Sequence, residues 1–390
     1  MNDSIRNEHH GDHEHDIDTV DVDGRHLLKL VLLPGVGPRT LQNLLTAFGT
    51  PGEVLTANRE ALQRVPGVGD KLVHVLQTAD DHVDVDDVLD WCSHHDVRLL
   101  FRGREDYPET LEELDDPPTV LFVRGNVRRS DAMSVGIVGT RHASPYGLRQ
   151  ARRIAMDLAL AGITVVSGLA RGIDTAAHQA AIEGHGRTLA FLGGGLHHLY
   201  PAENAGLADE ITKCGAVISE SPPMVKPRSS LFQQRNRLIA AMSAVTLVIE
   251  APQRSGSLIT ACLAGELGRS VAALPGSVTS RGSRGCHELI RDGATLVQHA
   301  ADVMELLGPM THSVTIQDDD GNEAELHSGR ELMLNEVERQ ILSGIGSEAT
   351  SIDLLTASCE LPPSRVAAVL SILEMKAFIR RLSGQYVSRI

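Results

Sequence analysis

Lys226, Arg228, Arg235 and Arg237 fall within twelve residues of one another, with Phe232 among them and Asn236 between the last two. Four cations around one ring suit a polyanion, because ammonium and guanidinium groups neutralise phosphates while the ring offers a face to a base. A further cation, Arg141, follows Gly139 and Thr140 at the end of an apolar run. There, loop amides and a guanidinium can hold one phosphate together. Ser167 and Gly168 end the next apolar run in the same way. The structural alternative makes Arg235 and Arg237 ion-paired scaffold and Asn236 a helix cap. For any one residue that alternative stays open; for all of them together it is the weaker reading.

Acid–base chemistry is the main rival. Asp174, His178, Glu220 and Glu250 stand near the ends of apolar runs, where a small-nucleotide hydrolase on a related sheet would place its proton-transfer groups. No two carboxylates stand at a telling spacing, and no nucleophile elbow is present. A nicotinamide dehydrogenase needs G-x-G-x-x-G and an acid about 20 positions on for the ribose. Gly136-Ile137-Val138-Gly139-Thr140-Arg141 lacks that spacing, and Ser167-Gly168 supplies no acid. A Walker-type phosphate loop is also missing. The expectation is a binding protein without turnover and without a cofactor, with the hydrolase as the alternative.

These residues need a scaffold that lines up loop ends. Ser134–Val138, Ile163–Val166, Thr188–Leu192, Ala216–Ile218, Val245–Ile249 and Val271–Leu274 are short β-branched runs separated by helical stretches. That alternation predicts buried parallel strands in an α/β, Rossmann-like, mostly parallel sheet over residues 81–310. Ligands of such sheets bind beyond the carboxyl ends of the strands. The runs end in Gly139-Thr140-Arg141, Ser167-Gly168, Gly193-Gly194-Gly195, Ser219-Glu220, Glu250 and Pro275-Gly276, so that edge is the expected site.

The sheet has a module on either side. Residues 26–80 repeat one pattern, with Leu33-Pro34-Gly35-Val36-Gly37 and Val65-Pro66-Gly67-Val68-Gly69 each preceding an apolar helix. Two such hairpins predict a helix-hairpin-helix (SAM-like) unit whose glycines permit tight turns and expose amides to a phosphate. Arg39 and Lys71 beside Asp70 leave DNA contact and protein docking equally open. Residues 311–330 are polar and acidic and read as a linker. Residues 331–390 predict three helices (Asn335–Gly344, Ile352–Ser358, Ser364–Lys376) and a ribbon from Phe378 to Val387, the pattern of a winged helix. Arg365 and Lys376 set against Glu374 on its last helix favour docking over duplex reading.

At 390 residues and 42% hydrophobic, the chain has material for two or three domains. Its net charge of -15 is unevenly placed. Residues 1–26 carry eight acids against two bases, residues 80–96 and 105–116 seven acids each without Lys or Arg, and residues 318–325 five. The remainder therefore has an excess of bases, which permits a polyanionic partner. Residues 1–25 read as a disordered, solvated tail, although His9, His10, His13 and His15 are metal-capable types. Five scattered cysteines without a CxxC pair fit a reducing compartment and no zinc site. With no apolar leader and no run near the roughly 18 residues of a span, the expected location is cytoplasmic, away from membranes.

Taken in order, the motifs resemble the DprA/Smf family of DNA-processing proteins. They are Tyr107-Pro108, Asp116-Pro117-Pro118, Leu121-Phe122-Val123-Arg124-Gly125, Gly139-Thr140-Arg141, Ser167 to Asp174 with Ala177-His178, Gly193-Gly194-Gly195 with Tyr200-Pro201, Phe232 to Arg237, Ser255 to Ala261, Pro275-Gly276, and Leu289-Ile290 with Gly293-Ala294. The resemblance is dense over residues 97–300. It implies a homodimer that binds and protects incoming single-stranded DNA in transformation and helps load the recombinase RecA. It also implies that Arg141 and the stretch from Lys226 to Arg237 bind DNA, while Ser-Gly and Gly-rich positions shape the pocket. The helices around Ser257–Leu267 and Cys286–Arg291 are the candidate dimer surface. Cys286-His287-Glu288 departs from the family, which usually has Asn before Leu-Ile.

Overall fold

The computed structural model describes residues 20–308 without a break, and after them 314–317, 323–326 and separate positions from 341 to 389. The four tail histidines, Arg365, Glu374 and Lys376 lie outside the described residues.

The centre is one nine-stranded sheet. Its strands are Val97–Phe101 (β1), Val120–Gly125 (β2), Ser134–Val138 (β3), Thr164–Ser167 (β4), Thr188–Phe191 (β5), Ala216–Ser219 (β6), Val245–Val248 (β7), Ser270–Ala273 (β8) and Thr295–Leu296 (β9). They lie in the order β1-β2-β6-β5-β4-β3-β7-β8-β9. From β6 to β9 every pair is parallel, and β2 runs antiparallel to both β1 and β6. The six strands expected from the β-branched runs all form, within a residue or two of their predicted ends.

Alternation along each strand feeds two cores. Val135, Ile137, Val165 and Leu247 meet the Pro145–Leu160 and Ile173–Glu183 helices on one face. Val138, Val166, Leu189 and Val248 meet the Ser229–Met242 and Gly256–Glu266 helices on the other. Gly136 lets the second layer approach, since a Cβ there would lie 2.6 Å from Ser243 Oγ. Chain order reverses at β3, which has β4 on one side and β7 on the other. The crevice beyond the carboxyl ends of β3 and β7 is therefore the natural ligand position.

Two boundaries differ from expectation. The acidic tail does not reach residue 25, because a helix begins at Val22 with Asp21 as its cap, accepting from the Gly24 amide at 2.8 Å. The acidic stretch at 80–96, whose charge suggests a linker or domain border, instead carries a packed helix. Its Val85–His94 helix buries Val85, Leu89 and Cys92 in a core shared with Leu28, Val97 and Phe122. Its acids Asp86, Asp87 and Asp90 face outward. Composition showed the charged face and hid the apolar stripe.

The two hairpins form as expected, around a core of Leu41, Leu44, Val65, Val73 and Leu76. Gly35 and Gly67 take the left-handed conformation that the turns require (φ 91° and 88°). The first hairpin turns toward the sheet: Val36, Gly37 and Pro38 share a groove of about 220 Å³ with Pro118, Glu220 and Gln234. The second places Asp70 in the first turn of its helix, held by Arg59 Nη2 at 2.6 Å and Gln63 Nε2 at 2.7 Å.

Inside the expected linker, Val314–Gln317 (β10) and Glu323–Leu326 (β11) pair antiparallel. Val314, Ile316, Ala324 and Leu326 alternate with polar residues, a strand pattern that the overall polar composition hid. In the last module Thr350–Ser351 (β12), Ile379–Leu382 (β13) and Tyr386–Arg389 (β14) form a sheet in the order β12-β14-β13. Its core joins Ile341, Leu355, Val366, Leu370 and Leu373 to Ile379 and Val387, as a winged helix demands.

Candidate nucleic-acid interface

A cleft of about 400 Å³ opens at the β3/β7 crevice. Gly139, Thr140 and Arg141 line one wall, Phe232, Arg235 and Asn236 a second, and Ser255, Gly256 and Ser257 a third. The last three begin the Gly256–Glu266 helix, capped by Ser255. The dipole of a helix start favours an anion, and here the Ser257 amide is already capped by Ser255 Oγ at 3.4 Å.

The Gly-Thr-Arg loop is pinned from below. Thr140 N–H donates to the Glu250 carbonyl at 2.7 Å. A Cβ on Gly139 would lie 2.5 Å from Ile173 Cγ1, so only glycine fits there. Arg141 is left exposed, its guanidinium carbon 5.2 Å from the centre of the Phe232 ring. Among the described residues no carboxylate pairs with it. Phe232 in turn leans on Gly193, where a Cβ would meet its Cδ1 at 2.4 Å.

The cations predicted together have three different environments. Lys226 and Arg228 are exposed and have no acidic partner among the described residues. Their loop is held over the end of β5, with Pro227 against Gly194 and the Val225 carbonyl accepting from Gly195. Arg235 is buried in the cleft floor, 4% exposed, and donates to the Phe191 carbonyl at 2.6 Å. Arg237 is scaffold, paired with Glu220 at 2.5 Å and Asp116 at 3.4 Å. Burial raises the Glu220 carboxyl above its usual range, and the Arg237 charge opposes that. Asn236 Nδ2 reaches the Gly256 carbonyl at 3.3 Å, tying two cleft walls together.

Ser167 is buried and bonds the Ile137 carbonyl at 2.6 Å, joining β4 to β3 rather than meeting a ligand. Gly168 leaves room for Arg235, whose Nη1 would stand 1.8 Å from a Cβ there. Beneath them Asp174 accepts from the Gly168 and Ala170 amides at 3.2 and 3.4 Å. Burial pushes its carboxyl up to about 6, against the Arg235 charge. Burial likewise brings Arg235 down to about 10, against the Asp174 charge. The buried Arg235 Nε has no partner among the described residues.

The rival acid–base groups are built into the frame. His178 is fully buried, and burial holds it neutral, down to about 3. Its Nε2 accepts from the Leu169 amide at 3.4 Å and its Nδ1 meets Thr188 Oγ1 at 2.7 Å. With Asn204, which donates to the Leu169 carbonyl at 2.8 Å, it holds Leu169 at φ 56°. A left-handed leucine needs such clamping. Glu250 accepts from Ser144 N and Oγ, both at 2.9 Å, at the start of the Pro145–Leu160 helix. Cys286, at the family departure, is buried with its thiol toward the Val248 carbonyl at 3.7 Å.

Residue type and spacing alone do not single out the Ser255-Gly256-Ser257 wall, nor His142 beside it, nor the exposed Arg254 just before it. The signal that the chain does carry is a Ser-Gly-Ser at a helix start, seven residues after the end of β7.

Comparison with known proteins agrees with this architecture. A family model described as DNA recombination-mediator protein A matches residues 98–308. Models for a DprA winged helix domain and a SAM-like helix-hairpin-helix tandem match residues 329–385 and 25–76. The Smf protein of Synechocystis is 31% identical over 385 residues, 91% of this chain and 96% of that protein. Escherichia coli Smf is 36% identical over 78% of this chain and 80% of its own. Among solved structures, DNA processing protein A from Streptococcus pneumoniae superposes with a TM-score of 0.61 at 33% identity, covering 72% of this chain and 97% of that one. The Helicobacter pylori protein, described for its single-stranded DNA binding mode, gives 0.50 at 30% identity, covering 55% and 97%. With its central model spanning more than half the sequence and the two flanking modules in the same order, the chain belongs to the DprA/Smf family.

Proposed function

We propose that the chain binds single-stranded DNA across the carboxyl edge of its parallel sheet and, as a homodimer in the cytoplasm, passes the strand to RecA. The observation that carries the reading is Arg141, exposed, free of acidic partners among the described residues, and lying over Phe232 at the mouth of the cleft. Lys226 and Arg228 extend the positive surface beside it. Gly139, Thr140 and the Ser255–Ser257 helix start line the same cleft, and Asn236 adds a polar edge. Ser167, Gly168, Arg235 and Arg237 shape this face rather than neutralise phosphates one by one. The Helicobacter pylori relative, described for single-stranded DNA binding, supports the choice of ligand.

Binding without turnover fits the placement of Asp174, His178 and Glu250, each committed to holding backbone. A dimer fits the exposed Leu296, at 48%, five residues after the Cys286–Arg291 candidate helix. Among the described residues no helix is long and apolar enough to cross a membrane. The test is a gel shift with single- and double-stranded DNA and mononucleotide competitors. Retardation of single strands, resistant to mononucleotides, is expected. Preference for duplex or full competition by a mononucleotide would replace this reading.

A further inference from the structure

Phe232, the ring expected to stack on a base, is covered on two sides. One side rests on Gly193 and the other is shielded by the Arg141 guanidinium. A second ring lies next to it: Tyr200, with its centroid 5.6 Å from that of Phe232 and an interplanar angle of 53°. Tyr200 is 44% exposed, more than any other aromatic ring among the described residues of the central domain. It comes from the loop after β5, the strand end over which Lys226 and Arg228 are held. Arg141 and Tyr200 thus both adjoin Phe232, at the strand end over which those two cations are held.

Resting on the single-strand reading above, we propose that Tyr200 is the outer base-stacking platform of the DNA site. The strand leaves the cleft past Arg141 and lays its next base on Tyr200. Phe232 is the wedge that fixes both neighbours. The ligand is a nucleobase of any type, because stacking on a phenol ring uses only the π-face common to all four. Arg171, beside the Tyr200 hydroxyl, is already neutralised by Glu203 and adds little charge at this point. The contact is therefore a stacking one, without a phosphate partner of its own.

The experiment is fluorescence anisotropy on the full chain, with oligo-dT of increasing length and with the same strands carrying abasic sites. Tyr200→Ala should weaken binding of long strands by about 5- to 100-fold, the range of one lost base–aromatic stack. The slope of log affinity against log salt should stay unchanged, and Tyr200→Phe should restore affinity. A dinucleotide, too short to reach from the cleft, should bind both variants alike, and abasic strands should erase the difference. Unchanged affinity of Tyr200→Ala for long strands, or a loss that persists on abasic strands, overturns the proposal while leaving the Arg141 site intact. Absence of single-strand binding by the unmodified chain overturns the parent reading itself.

Discussion

The Arg141 guanidinium stands over the Phe232 ring, 5.2 Å from its centre, while Arg235 on the same helix as that ring is buried beneath the cleft. Two arginines near one ring therefore have different work. The first meets solvent and, on the proposed reading, phosphate; the second is held in the cleft floor by the Phe191 carbonyl.

Replacing Arg141 with Ala should reduce the salt dependence of single-strand binding by roughly 0.7 log units per decade of salt, the value for one phosphate contact. Lys226→Ala and Arg228→Ala should each act in the same direction, with similar losses on poly-dT and mixed sequence. Salt titrations of anisotropy read all three. An Arg141→Ala variant with an unaltered slope would move the phosphate site elsewhere.

Arg237→Ala should behave differently. Its partner Glu220 would be left buried without its cation. Loss of one half of a buried pair costs about 3–5 kcal/mol of stability. Denaturant unfolding should register that loss, whereas the salt slope of the protein that remains folded should match the unmodified chain.

Gly168→Ala tests the cleft floor. Its Cβ would stand 1.8 Å from Arg235 Nη1, and that guanidinium is held by the Phe191 carbonyl. Overpacking of this kind costs about 1–3 kcal/mol. A lowered melting temperature is expected, and an unchanged one would mean that Arg235 is free to swing away.

Asp174 and His178 have opposite effects on stability as pH changes. Asp174 rises from 3.8 to about 6 on folding, so its contribution falls as pH climbs through that window. His178 drops from 6.5 to about 3, so its contribution falls as pH descends through that window. Where the windows overlap, the two slopes cancel at about 1.4 kcal/mol per pH unit each. In His178→Gln only the Asp174 slope remains. Its stability deficit relative to the unmodified chain should grow by about 2 kcal/mol from about pH 4.5 to 6. Urea unfolding at the two pH values measures it, and a constant deficit would contradict the assignment.

Glu250→Gln addresses catalysis. The carboxylate accepts from both Ser144 donors and fits only because Gly147 and Gly282 carry no Cβ. The variant should be less stable by about 1–3 kcal/mol, the cost of weakened bonds to a charged buried group. Incubation of the unmodified chain with nucleoside monophosphates or labelled strands should give no steady turnover. Turnover that disappears in Glu250→Gln or Asp174→Asn would return the hydrolase reading.

The strands were legible because β-branched runs of four or five residues, each closed by glycine or a polar residue, leave few alternatives in an α/β chain. Gly139, Thr140 and Arg141 followed from that, since a residue just beyond a parallel strand must lie on the ligand edge. Acidic segments were harder. In Val85–His94 the exposed Asp residues dominated the composition while Val85, Leu89 and Cys92 formed the buried stripe.

What the chain order determined by itself is the set of elements, their sequence and the edge on which the Gly-rich and polar strand ends collect, all consequences of local periodicity and turn chemistry. Which cations remain free was decided only by the tertiary structure. Arg235 and Arg237 are two residues apart, yet one is held by the carbonyl of Phe191 and the other by Glu220 and Asp116. Those partners come from other strands and loops, brought alongside by sheet order. Tyr200 and Phe232, far apart in sequence, became neighbours the same way. Burial and charge pairing depend on such distant contacts, so residue type and spacing along the chain carry no record of them.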